Sequence, residues 1–222
     1  MKDLYRRLKR GAYNFYQREF RGNHPLKEAQ RYKRDGGVRI LTRFPLHPAD
    51  IVLDIGGHVG GFAADIHAAT GASVHVFEPV LKFHEHCERR FADNPKIHCH
   101  AYGLGAVDGR FAISDANEAS SLHAAAGADA EMVEVRQASA AIDSLGIADI
   151  GLIKMNIEGA EYDVLPALLD AGIVARSRFL LIQFHTVGNY AANREALRAR
   201  IAETHDEMWC YDFVWEAWRA RP

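Results

Sequence analysis

Asp54, Glu78, Asn156, Glu158 and His185 are the side chains of this sequence whose types and positions could do chemistry, because each stands at or just past the end of an apolar run. IVL precedes Asp54, VHVF precedes Glu78, IGLIKM precedes Asn156 and FLLIQF precedes His185. A buried strand that ends in a polar group delivers that group to the edge of a sheet where ligands bind. After Asp54 the chain reads Gly56, Gly57, His58, Gly60 and Gly61 before a helical pattern begins. That order predicts a strand, a tight turn where backbone approaches a ligand, and a helix N-terminus. Glu78 follows the loop by roughly twenty residues, the spacing at which nucleotide-binding βαβ units place a ribose-binding carboxylate.

Asp54 bears on which nucleotide fits. A carboxylate at the strand tip repels the pyrophosphate that a dinucleotide site cradles. S-adenosylmethionine carries no phosphate, and its sulfonium and ammonium are attracted to an acid. The glycine spacing also departs from G-x-G-x-x-G, since His58 stands where the second close-approach glycine belongs. The donor is therefore expected along residues 54–61, with its ribose hydroxyls on Glu78.

Strands are predicted at 51–55, 73–78, 96–100, 150–156 and 179–185, and helices near 60–70, 80–92, 159–171 and 191–204. This alternation implies a doubly wound, mostly parallel sheet. Residues 208–218, MWCYDFVWEAW, fit one or two final strands that add an antiparallel edge. The stretch 111–143 interrupts the alternation, although residues 132–136 alternate like a strand. Strand-end residues then include the Gly103-Leu104-Gly105 stretch. Lys154, within so apolar a strand, needs a partner or a path to water. Glu161 is read as complementing a helix dipole, and Glu158, at the turn itself, as a site residue.

Residues 1–50 hold thirteen Lys or Arg against five acids, a net of +8 in a chain of −2 overall. We divide the chain into a basic, aromatic-rich N-terminal helical segment, 1–45, and a ligand-binding domain, 46–222. An amphipathic helix is expected over about 2–20; it either packs on the domain or meets an anionic membrane surface. Nucleic acid is a weaker partner, because no recognition motif accompanies the charge. Three irregularly spaced cysteines argue against a disulfide framework. With no signal peptide and no apolar run of bilayer length, the expected location is cytoplasmic, with a peripheral membrane contact as an option. The histidines of HEHC (84–87) and HCH (98–100) match no common zinc spacing and are read as surface and packing residues.

Taken together, these segments resemble the FkbM family of S-adenosylmethionine-dependent methyltransferases over about residues 50–185. DIGGHVGG looks like that family's D-x-G-A-N-x-G, VFEP its second-strand ending, and YGLG…DG the stretch after its third strand. ASSL around Ser120 and Ser121, and LIKMNIEGAEYDVL, look like its sSl and IKiDvEGaE-x-xvL segments. The resemblance implies a class I, Rossmann-like methyltransferase fold, S-adenosylmethionine as cofactor, and methyl transfer to a hydroxyl of a sugar, glycolipid or secondary metabolite. It implies donor binding by Asp54, Gly56, Gly57, His58, Gly60, Glu78, Pro79, Gly103 and Leu104. Two positions depart: His58 replaces an asparagine, and Asn156 replaces an aspartate and so removes a charge.

O-methylation needs a group that takes the hydroxyl proton, for which His185 and Glu158 are the candidates, with Asn156 positioning donor or substrate. No metal site is assigned; a divalent cation that acidifies the acceptor is an alternative disfavoured by asparagine at 156. A nicotinamide-dependent oxidoreductase and a non-catalytic surface-binding protein are the competing functions.

Overall fold

The computed structural model of the protein describes residues 24–113, 131–186 and 190–222. The expected helix at 2–20 and the ASSL segment lie outside the described residues. Seven strands form the main sheet: β1 (Ile51–Ile55), β2 (Ser73–Phe77), β3 (Ile97–His100), β7 (Ile150–Met155), β8 (Ser177–Ile182), β9 (His205–Tyr211) and β10 (Trp215–Ala220). Three more, β4 (Gly103–Gly105), β5 (Gly109–Ile113) and β6 (Glu131–Gln137), form a second sheet in the order β4-β6-β5. The helices are α1 (His24–Arg34), α2 (Gly61–Thr70), α3 (Leu81–Phe91), α4 (Ala138–Ser144), α5 (Glu161–Asp170) and α6 (Tyr190–Ile201). Among the described residues no helix is long and apolar enough to cross a membrane.

The main sheet runs β3-β2-β1-β7-β8-β10-β9. Pairing is parallel from β3 through β8, and β10 is antiparallel to both β8 and β9. The expected antiparallel edge is thus a complete hairpin, closed by a turn in which Phe213 takes φ 56° and the Val214 amide donates to Tyr211. The chain leaves β1 toward β2 and β3, then returns on the other side at β7. That reversal of strand order opens a crevice at the carboxyl ends of β1 and β7.

Alternation along the strands builds two cores. Val52 and Leu152 face one side, with Ala63 and Ile66 of α2 and Cys87 and Phe91 of α3. Leu53, Ile55, Ile153 and Met155 face the other, with Ile142 of α4, Leu165 and Leu168 of α5, and Leu197 of α6. Because both faces are covered, β7 is buried at every position, which explains its unbroken apolar run. The described part of the basic segment shares the first core: Tyr32, Ile40, Leu41 and Phe44 pack there. Tyr32 meets Tyr211 edge-on at 5.5 Å, and the Arg31 guanidinium lies 4.5 Å from the centre of the same ring. His75 on β2 stacks on His100 of β3 and meets His98 at a tilt, and burial above all, with the neighbouring imidazoles, pushes His75 and His100 down to about 4.

One buried acid ties α6 to the hairpin. Glu216, 2% exposed, accepts from Arg194 at 2.7 Å, Arg198 at 2.6 Å and the Trp218 indole at 2.9 Å. Removing one member of a buried charge set strands the others without compensation. Glu216→Ala should destabilise the fold by about 3–5 kcal/mol, read as a lower denaturation midpoint. Arg178→Ala, which breaks a half-exposed pair with Asp50, should cost under about 1 kcal/mol. Equal losses from the two variants would contradict this assignment.

Candidate active site

The carboxyl ends of β7, β1 and β2 lie side by side and present Asn156–Glu158, Gly56–His58 and Glu78–Val80 in turn. A cavity of about 300 Å³ opens there. Its wall includes polar positions, Gly56, His58, Asn156 and Glu158. It also includes an apolar set, Phe77, Val80 and Phe83 together with Leu104, Ile113 and Val135 of the second sheet. Ile55, Glu78, Pro79, Gly103, Ile157 and Ala160 complete the wall.

Of the residues expected to hold a donor, Gly56, His58, Glu78, Pro79, Gly103 and Leu104 are brought to this cavity, whereas Asp54, Gly57 and Gly60 are not in its wall. Asp54 is fully buried, and its Oδ1 lies 2.8 Å from Lys154 Nζ, the neighbour in register on β7. Lys154 also donates to the Gly56 carbonyl at 2.7 Å. Burial pushes the Asp54 carboxyl up, and the ammonium opposes it. The sequence leads one to expect Asp54 to attract a cationic donor; in the structure its ion-pair partner is Lys154, and it is not in the cavity wall.

The glycines are explained mainly by the protein's own packing. A Cβ on Gly56, where φ is 85°, would lie 2.0 Å from the Asn156 carbonyl oxygen. On Gly57 it would lie 2.1 Å from a Val76 methyl, and on Gly60 2.5 Å from the Phe91 ring. The turn is thus pressed against the ends of β7, β2 and α3. His58 holds φ 49°, a left-handed conformation that Asn and His adopt more readily than most side chains. That conformational demand accounts for histidine in the position where the resemblance shows asparagine.

Glu78, nearly buried, accepts from the His58 amide at 2.7 Å and from the Val80 amide at 2.9 Å, one on each oxygen. It fastens the glycine turn to the end of β2. Burial raises the Glu78 carboxyl, while the two amides pull against that rise. Each oxygen keeps a further lone pair, so the carboxylate can still receive two hydroxyl donors. Asn156 Oδ1 is buried, has no hydrogen-bond partner among the described residues, and belongs to a residue of the cavity wall. An unsatisfied buried acceptor of this kind suits a ligand N–H or O–H.

Glu158 also lines the cavity, in a left-handed conformation with φ 54°. Its Oε2 lies 3.3 Å from His185 Nε2. His185 is outside the wall and reaches the cavity only through Glu158. Glu161 stands in the first turn of α5, as expected of a dipole partner; it is also fully buried and accepts from His185 Nδ1 at 2.8 Å, the His185 amide at 2.6 Å and the Gly159 amide at 2.9 Å. Burial alone would lower the His185 imidazole, but hydrogen bonds and charge from Glu158 and Glu161 raise it to about 9. A spacing-based reading has no signal for this contact, since residues 161 and 185 lie on different elements.

The FkbM methyltransferase domain matches residues 54–212, and the chain belongs to that family. In fold it is similar to the FkbM methyltransferase of Methylobacillus flagellatus, with a TM-score of 0.54 at 19% identity over 84% of this chain. The chain spans 46% of that protein's length. It is also similar to a candidate rRNA-methylase from Clostridium thermocellum, with a TM-score of 0.53 at 9% identity, covering 87% of this chain and 96% of that one. At these identities the likeness speaks to the fold. No curated protein matches the chain in sequence.

The raised His185 pKa sets a stability window. Folding favours the protonated ring, so its contribution is fully present below the ordinary value of 6.5 and is lost as pH rises through about 9. The gap in stability between wild type and His185→Gln should therefore narrow over that window, by at most about 1.4 kcal/mol per pH unit. Denaturant titrations at pH 6 and pH 10 measure it. A gap that widens toward high pH would reject the protonated assignment.

Proposed function

We propose that this methyltransferase uses S-adenosylmethionine and transfers its methyl group to a hydroxyl oxygen of a small acceptor such as a sugar, glycolipid or secondary metabolite. The observation that carries this reading is one cavity whose wall holds a ribose-competent carboxylate, Glu78, and a second acid, Glu158, backed by the His185 imidazole. When bound, the donor supplies a methyl carbon already activated by a sulfonium leaving group.

The residues fit such a donor. Glu78 takes the ribose hydroxyls on its remaining lone pairs. Val80, Phe83, Leu104 and Val135 give an apolar wall suited to a flat purine ring. Gly56, His58 and the unsatisfied Asn156 oxygen receive the amino-acid end. The carboxylates of Glu78 and Glu158 complement a cationic ligand and oppose a pyrophosphate.

Methyl transfer requires acceptor oxygen, carbon and sulfur to be held in line, which a rigid cavity supplies by positioning. A hydroxyl is a weak nucleophile until its proton is taken, and the Glu158–His185 pair is the group at hand to take it. The Glu78→Ala protein should bind S-adenosylmethionine roughly tenfold more weakly or worse, on the order of 1.5–3 kcal/mol. Calorimetry on the folded variant tests the placement, and unchanged affinity would sink it. Tight binding of a nicotinamide dinucleotide by the wild type, with no release of S-adenosylhomocysteine on adding hydroxylated acceptors, would overturn the function.

A further inference from the structure

Resting on the methyl-transfer reading above, the His185 contacts assign different tasks to the two carboxylates that flank it. Glu161 Oε1 receives both the His185 Nδ1 and its main-chain amide, and Oε2 receives the Gly159 amide. The Tyr162 hydroxyl donates to the His185 carbonyl at 2.8 Å. The ring and backbone of His185 are thereby fixed from α5, and the loop after β7 is fixed by the same carboxylate. On the far side of the ring, Nε2 faces Glu158 Oε2 at 3.3 Å. A carboxylate only accepts, so a ring nitrogen facing one must donate. Two carboxylates on two nitrogens require an imidazolium, which has no lone pair for a hydroxyl proton. The charged and titratable groups that face His185 are Glu158 and Glu161, with Tyr162 on its carbonyl. Arg194 of α6 stands one residue away, with Cζ 5.9 Å from the Phe184 ring.

We propose that Glu161 is a positioning residue that holds His185 as an imidazolium against Glu158, and that Glu158 is the catalytic base. The acceptor O–H bond breaks with its proton passing to a Glu158 oxygen. The hydroxyl oxygen's electron pair forms the new C–O bond, and the carbon–sulfur pair stays on sulfur. Glu158 then releases the proton to water when the product leaves. His185 stays protonated throughout and steers the carboxylate, whose backbone turns left-handed at φ 54°.

The experiment follows the His185 resonance in the full-length protein by nitrogen-15 imidazole NMR, assigned by its loss in His185→Gln. In wild type the ring should titrate near 9. Glu161→Gln should lower that midpoint by about 1–3 pH units. It should also lower kcat on the order of a hundredfold while leaving the KM for S-adenosylmethionine unmoved. Glu158→Gln should lower kcat at least as far. A wild-type ring that titrates at or below its ordinary value overturns the proposal without any variant, so an unfolded Glu161→Gln does not protect it. Unchanged titration in a folded Glu161→Gln, or full turnover in Glu158→Gln, also overturns it. Calorimetry on the same wild-type sample separates the two readings: no donor binding defeats the proposed function, while the titration still decides the state of His185.

Discussion

The ion pair between Asp54 and Lys154 is the constraint from which the rest of the site follows. The two residues are register neighbours on the central strands β1 and β7, and their side chains are 0% and 5% exposed. Either charge alone at that depth costs several kcal/mol, so each makes the other tolerable. Lys154 spends a second donor on the Gly56 carbonyl, which turns the first residue of the loop inward at φ 85°. Gly56 then sits so close to the Asn156 carbonyl that any side chain would collide with it. The loop after β1 and the end of β7 are therefore locked face to face. The polar positions of the cavity wall take their places from that junction.

Three glutamates surround this junction, and their partners separate their tasks. Glu78 is engaged once on each oxygen by main-chain amides, which fixes it in place and leaves lone pairs over for a ligand. Glu161 has its partners inside the protein, two of them from His185, and is sealed from the cavity. Glu158 alone of the three combines a place in the cavity wall with a left-handed backbone. Strained conformations persist where the surroundings over-determine them, and here Gly159 and His185 are both held by Glu161. The more buried acid organises the loop so that the more exposed one meets the ligand.

The alternating strands and helices were legible because burial on both faces writes long apolar runs, and β1 and β7 fall where those runs predict. The strand ends were legible for the same reason, which is why Glu78, Asn156 and Glu158 could be named before any coordinates. The second sheet was not. Its strands pair across sequence gaps, with β4 and β5 both bonded to β6, and only the alternation in 132–136 signalled one of them. The apolar wall from Ile113 and Val135 went unseen with it. The packing of Asp54 against Lys154 and of the glycines against neighbouring elements was not legible. A sequence shows that a side chain is missing or charged; it does not show whether a ligand or a neighbouring strand is the reason. Lys154 illustrates the opposite case, since a cation in an apolar strand demands a partner, and the partner proved to be the acid on the adjacent strand.

Asparagine at 156 changes the electrostatics of this arrangement more than its shape. An aspartate there would add a third carboxylate to a wall that already carries Glu78 and Glu158. Like charges in a water-poor cavity disfavour one another's ionised forms, and the nearby Lys154 is already committed to Asp54 and Gly56. Asparagine keeps a buried acceptor oxygen without a partner among the described residues and spares Glu158 that repulsion. On the reading proposed above, asparagine at 156 thus leaves Glu158 without a competing anion beside it and with the His185 ring behind it.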